Sequence, residues 1–159
     1  MANLPRPVIL DSKLRTPRDC KILANANAGT GRRPLLITRK CEADKEYTKR
    51  REELLSAGAE IACIDGSAEA RDWRSIVHAL DAEEKQASLM VEGGATVITS
   101  LLRAHAAGIV SINTLIITIG KTMLGKDGVG YEGIPLDSFR HYRTEEFGQD
   151  TVIAFVRKD

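Results

Sequence analysis

Aromatic residues are scarce in this chain, at 4% of the sequence, which leaves too few rings for a base-stacking surface. Neither sign of charge is in excess: 23 Lys and Arg stand against 22 Asp and Glu, a formal net charge of +1. That balance gives no reason to expect nucleic acid or an anionic membrane as the main partner. No apolar run approaches the roughly 20 residues of a membrane span. Residues 1–10 hold two prolines and no apolar stretch, which argues against a secretory signal. The three cysteines (Cys20, Cys41, Cys63) are odd in number, widely spaced and without a C-x-x-C pair. They read as reduced thiols of a cytoplasmic protein. His78, His105 and His141 are far apart, and no cysteines or paired carboxylates cluster, so no metal site is expected. Gly120-Lys121-Thr122 lacks the earlier glycine of a Walker A loop, position 115 being Leu, and no G-x-G-x-x-G fingerprint occurs.

What is present is one domain's worth of alternating structure. With 159 residues and 43% hydrophobic content, the chain reads as a single domain, 1–159, with a core of its own. Arg6 to Asp11 is a short apolar run ending in an acid, read as a strand. Thr16-Pro17 has the form of an N-cap followed by proline at the first helical position, predicting a helix to about Ala26. Gly29-Thr30-Gly31 breaks it, and Pro34 to Thr38 is a second strand. Asp44 to Ala57 reads as a charged surface helix with Tyr47, Leu54 and Leu55 inward and Gly58 as its stop. Its Lys45–Glu53 charge run is most simply a solvated face. Ala59 to Ile64 is a third strand, and Asp65-Gly66-Ser67 a turn. Asp72 to about Glu83 places Trp73, Ile76, Val77 and Leu80 at helical spacing. Ala87 to Glu92 reads as a fourth strand, Thr96 to Ala107 as a helix, and Thr114 to Ile119 as a fifth strand. Gly125 to Gly133 is a glycine-rich loop, and Thr151 to Val156 closes the chain as a strand suited to antiparallel pairing. Strands alternating with helices of about a dozen residues predict an α/β protein: a mostly parallel sheet flanked by helices, with an antiparallel C-terminal strand.

The junction Val91-Glu92-Gly93-Gly94-Ala95-Thr96-Val97-Ile98 carries the most chemistry. Adjacent glycines before a helix let a ligand approach the backbone, and the first-turn N–H groups with the helix dipole favour a phosphate or diphosphate. A plain tight turn requiring positive φ is the competing reading. Glu92 stands where open α/β sheets place ligands, and equally reads as a solvated acid or a helix-cap partner. Arg15 suits bidentate phosphate binding, or is a surface arginine. Lys121, Lys126 and the glycines 125–130 line an anion-binding loop, or form a flexible loop or dimer contact.

Four pieces in this order resemble the reductase domain of riboflavin biosynthesis, which has the three-layer dihydrofolate-reductase-like fold. They are Arg6-Pro-Val-Ile-Leu-Asp11-Ser-Lys-Leu14-Arg15-Thr-Pro17, the strand Pro34 to Thr38, Val91-Glu92-Gly93-Gly94 with its helix, and Ile116-Ile117-Thr118 leading to Leu124-Gly125-Lys126-Asp127-Gly128-Val129-Gly130. The resemblance implies reduction, with NADPH, of 2,5-diamino-6-ribosylamino-4(3H)-pyrimidinone 5′-phosphate. It places Asp11 and Thr38 near NADPH, Leu14 and Arg15 at the substrate's ribosyl phosphate, and Glu92 on substrate. Gly93, Gly94, Ala95, Thr96, Val97 and Ile98 would wrap the cofactor diphosphate. It also implies a homodimer. The family's Ser-Leu-Asp-Gly-like first strand does not occur here, so the chain reads as shortened at its N-terminus relative to the family. Gly120-Lys121 stands where a small residue and a proline are expected. No deaminase half accompanies it, since H-x-E and P-C-x-x-C are both absent. The alternative reading is a non-catalytic binding or scaffold protein that has lost the first strand and part of the active site.

Overall fold

The computed structural model describes residues 4–39, 44–64, 72–84, 88–122, 128, 130, 133 and 136–159. Its internal contacts divide into two compact units, residues 1–85 and 86–159. The first holds β1 (Val8–Leu10), α1 (Lys21–Asn27), β2 (Leu35–Arg39), α2 (Lys45–Ser56), β3 (Glu60–Ile64) and α3 (Trp73–Glu84). The second holds α4 (Ala95–Ala106), β4 (Thr114–Ile119), β5 (Phe139–Phe147) and β6 (Asp150–Arg157).

In the first unit the strands are parallel in the order β1-β2-β3, with Leu10 opposite Ile37 and Ile37 opposite Ala62. Leu35 to Thr38 are all buried, as a central parallel strand covered on both faces requires. Asp44 caps α2 by accepting the N–H groups of Glu46 at 2.9 Å and Tyr47 at 3.3 Å. Asp72 caps α3 in the same way, from Arg74 at 3.1 Å and Ser75 at 3.2 Å. The Ser75 hydroxyl and N–H bonds hold the Asp72 carboxyl below its ordinary range. Leu14, Leu23, Leu36, Tyr47, Leu54 and Ala59 form the core cluster. Trp73, Ile76 and Leu80 bury one stripe of α3, while Leu55 and Val77, expected inward, are exposed.

The second unit's sheet is antiparallel in the order β4-β6-β5, with Ile116 opposite Ala154 and Thr144 opposite Ile153. Gly148, at φ 64°, opens the Gly148–Gln149 hairpin turn, the position where glycine suits the twist. A bulge between His141 and Arg143 bends β5. His105 ties α4 to this sheet. Its Nδ1 meets the Ile112 N–H at 3.2 Å and the Val110 carbonyl at 3.3 Å, and its Nε2 meets Ser138 Oγ at 3.1 Å. The same ring lies 5.0 Å from the Phe139 ring.

The α/β class therefore holds, as do eight of the strand and helix placements to within a residue or two. Two placements differ. The first helix begins at Lys21 and not after Thr16, because Thr16 donates to Asp11 and caps that carboxylate in place of a helix. Ser88 to Glu92 form no strand: no strand pairs with them among the described residues, and Leu89 and Met90 are exposed. Extended chain without a ladder partner leaves its backbone groups to solvent. The expected turn at Asp65–Ser67, Ala87, Cys41, Lys126 and most of the 125–133 loop lie outside the described residues.

Candidate functional site

Asp11 N–H donates to the Ile37 carbonyl at 2.9 Å, which sets Asp11 beside Thr38 at the C-terminal ends of two neighbouring parallel strands. Open α/β sheets bind ligands at that edge. Leu14 N–H then returns to the Asp11 carbonyl at 3.2 Å, and Leu14 itself adopts φ 50°. Thr16 donates both its N–H and its hydroxyl to Asp11 Oδ2, each at 2.7 Å. Burial works to raise the Asp11 carboxyl. The backbone N–H of Arg15, both Thr16 donors and the Lys13 N–H outweigh it and hold the group below its ordinary value. Asp11 is thus an ionised anchor around which the loop 11–16 is wound.

That winding separates two predicted neighbours. Leu14 is 1% exposed and joins the core, whereas Arg15 is exposed and lines a cavity of about 310 Å³ with Thr16, Arg18, Arg50 and Glu53. Arg50 departs from the solvated face expected of α2: its Nη1 donates to the Lys13 carbonyl at 3.4 Å, and its Nε to Glu46 at 3.1 Å. Arg18 and Arg50 are functional candidates that the sequence does not single out. The available signal is spacing, since Arg50 follows the buried Tyr47 by three positions and precedes the buried Leu54 by four. Thr38 is buried at 1%, its hydroxyl donating to the Arg39 carbonyl at 3.4 Å and meeting the Tyr47 phenol. Burial, with the Cys63 thiol 3.8 Å away, raises the Tyr47 hydroxyl above its usual range against the Thr38 hydrogen bond.

In the second unit Gly94 is the N-cap of α4 at φ −71°, ψ 173°, and Gly93 is likewise outside the left-handed region. Positive φ is therefore not why glycines stand here. A Cβ on Gly93 would meet Val97 Cβ at 3.0 Å, while one on Gly94 would meet nothing within 4 Å. Val97 and Ile98 N–H turn back to the Gly94 carbonyl at 3.0 and 3.2 Å. The N–H groups of Ala95 and Thr96 have no acceptor among the described residues. Glu92 is exposed just before this turn. The predicted residues thus gather as two sets: Asp11, Leu14, Arg15 and Thr38 in one unit, and Glu92 to Ile98 in the other.

The RibD C-terminal domain family matches residues 2–153. The 2,5-diamino-6-ribosylamino-4(3H)-pyrimidinone 5′-phosphate reductase of Candida glabrata is 35% identical over 127 residues, covering 79% of this chain and 46% of that protein. The Saccharomyces cerevisiae protein of the same name is 33% identical over 128 residues, with 80% and 48% covered. The chain thus spans about half the length of the curated relatives it matches. Among solved structures, the Saccharomyces cerevisiae riboflavin biosynthesis reductase Rib7 superposes with a TM-score of 0.69 at 27% identity, over 98% of this chain and 70% of that one. A pyrimidine reductase-like protein of Corynebacterium diphtheriae shares the fold at a TM-score of 0.70 and 15% identity, over 98% of this chain and 62% of that one. On this sequence match and this likeness of fold, the chain belongs to the RibD C-terminal domain family.

Proposed function

We propose that this chain reduces a ribosylaminopyrimidine 5′-phosphate with NADPH, in the riboflavin pathway. The observation that carries the reading is the α4 N-terminus. Two amide donors without acceptors among the described residues stand beside a glycine whose missing Cβ leaves open room. That donor set fits a diphosphate, because its oxygens accept from backbone N–H groups and gain from the positive end of the helix. Ala95 and Thr96 would hold it, and Gly94 would let it approach. The family likeness gives Asp11 and Thr38 to the cofactor as well, and their strand-end position suits a ligand.

When bound, NADPH would supply the hydride that reduces the C1′ imine of the ring-opened sugar, with a proton from solvent going to the nitrogen to give the ribitylamine. Arg15 holds the substrate's phosphate by a charge-assisted fork, and Glu92 orients the sugar hydroxyls. Leu14, fixed in the core, keeps Arg15 at a constant angle. The same reading makes the protein a cytoplasmic homodimer built on one reductase domain. The homodimer follows the family likeness; the cytoplasmic location rests on unpaired cysteine usage.

Titrating the purified chain with NADPH by calorimetry, then following absorbance at the nicotinamide band with the pyrimidinone phosphate present, tests the proposal. Binding with substrate-dependent oxidation is the expected outcome. No binding at millimolar NADPH removes the reductase reading, and binding without turnover favours a degenerate binding protein.

A further inference from the structure

Thr38 stands at the end of β2, where a ligand is expected, yet its side chain has almost no surface to offer one. The residue is 1% exposed. Penultimate in β2, it pairs with Cys63, penultimate in β3, so the two side chains share one face of the sheet. On that face α2 sets Tyr47 against both. The phenol shares a hydrogen bond with the Thr38 hydroxyl and lies 3.8 Å from Cys63 Sγ.

The contact is held from both sides. Asp44 accepts the Tyr47 N–H at 3.3 Å and fixes the first turn of α2, while the Tyr47 ring is buried in the core cluster. The Thr38 hydroxyl's bond to the Arg39 carbonyl, at 3.4 Å, is long for an O–H donor, which leaves the phenol as its chief partner. A β-branched side chain has few χ1 rotamers, so a threonine whose hydroxyl is pinned inward also restrains the backbone that carries it. That backbone is the end of β2, where Arg39 and its peptide groups leave the sheet. Hydroxyls paired in a buried place interact more strongly than in water, and removing one strands the other.

We infer that Tyr47 and Thr38 form a peg, a pair of positioning residues that hold the end of β2 for the cofactor while the Thr38 hydroxyl itself does not touch it. The inference rests on the reductase reading, which puts NADPH at this strand end, and changes how Thr38 serves it. Thr38 acts through its backbone, and Tyr47, inside the core, acts through Thr38.

NADPH calorimetry on the full chain tests the peg with Thr38→Val, Tyr47→Phe and the double variant, each substitution deleting one hydroxyl with little change of shape. Thermal melts establish that every variant is folded at the assay temperature. Each single variant should weaken NADPH roughly three- to tenfold, as loss of a neutral hydrogen bond does. The double variant should weaken it no further, because both singles break the same bond. Thr38→Ser, which keeps the hydroxyl, should recover most of the affinity lost in Thr38→Val. Loss in Thr38→Val with none in Tyr47→Phe means that the hydroxyl meets the cofactor directly, and overturns the inference. So do losses that multiply in the double variant, and so does a lowered Tm with wild-type affinity in both singles, the mark of a purely structural contact. In each of those cases the wild type still binds NADPH and the reductase reading stands. A wild type that binds no NADPH removes that reading and the peg with it.

Discussion

The two glycines at the start of α4 should fail in opposite ways when given side chains. Gly93→Ala places a Cβ 3.0 Å from Val97 Cβ and 3.2 and 3.3 Å from its two methyl groups. A β-branched residue in a helix is confined to one χ1 rotamer, so Val97 cannot turn aside and the backbone must move. Overpacking of that kind costs about 1–3 kcal/mol, or roughly 2–10 °C in Tm for a chain of this size. Gly94→Val meets no neighbour, and its φ of −71° and ψ of 173° suit any residue. A weaker N-cap costs about 0.5–1 kcal/mol, while the stiffer unfolded chain returns about 0.4–1 kcal/mol. Its Tm should therefore stay within about 3 °C of wild type.

Binding should rank the variants the other way. In Gly94→Val the added isopropyl group would fill the approach to the Ala95 and Thr96 amides and displace a diphosphate from two charge-assisted hydrogen bonds. At about 1.5–3 kcal/mol each, partial loss of the pair weakens NADPH by roughly a hundredfold. Thermal melts and NADPH calorimetry on both variants are the assay. Unchanged NADPH affinity in Gly94→Val would refute the placement of the diphosphate, and an unshifted Tm in Gly93→Ala would refute the packing.

Three further expectations concern the frame around the site. Asp11→Ala strips the acceptor from Thr16 and should cost about 2–3 kcal/mol near neutral pH. Because the folded carboxyl lies below its ordinary value of 3.8, its contribution is complete above that value. It fades as pH falls through the lower folded one, so the gap to wild type should close in acid, and a pH-independent gap contradicts the anchor role. His105→Phe keeps a ring against Phe139 but removes the bonds to Ser138 and Ile112; it should lose about 1–3 kcal/mol and speed amide exchange at Ile112, and equal exchange would discount those bonds. Gly58→Ala forces φ +95° on alanine with Asn27 Oδ1 2.7 Å from the new Cβ, costing about 1–2 kcal/mol or more in denaturant melts; wild-type stability would exclude the strain.

Sequence makes most of the fold legible where a single physical signal decides the local structure. β2 is apolar at consecutive positions because both its faces are covered, and α2 and α3 announce themselves by an aspartate cap and a buried stripe. The misread places each involve a competing partner. Thr16-Pro17 has a helix-start form, yet the threonine's donors are already taken by an acid five residues earlier. Leu89 to Val91 has a strand's composition, but pairing, and not composition, makes a strand. β5 escapes a sequence reading because an edge strand with mostly exposed side chains, Arg140 to Thr144 among them, leaves no apolar alternation to read. Among the candidate residues, the glycine corner is visible as a motif. Arg18 and Arg50 are hidden, since only the folded loop brings residues from two distant stretches around one cavity.

Leu14 has a consequence for how this loop can evolve. A left-handed backbone asks for glycine at a penalty to leucine of roughly 1–2 kcal/mol, whereas the buried isobutyl group returns about 2 kcal/mol by leaving water. Local geometry and hydrophobic anchorage are thus opposed and nearly balanced. A glycine there would be comfortable but would unmoor the guanidinium that follows it. The aim of Arg15 is inherited from the interior, so a substitution at Leu23, which packs in the core with Leu14 and lies outside the cavity lining, becomes a lever on recognition.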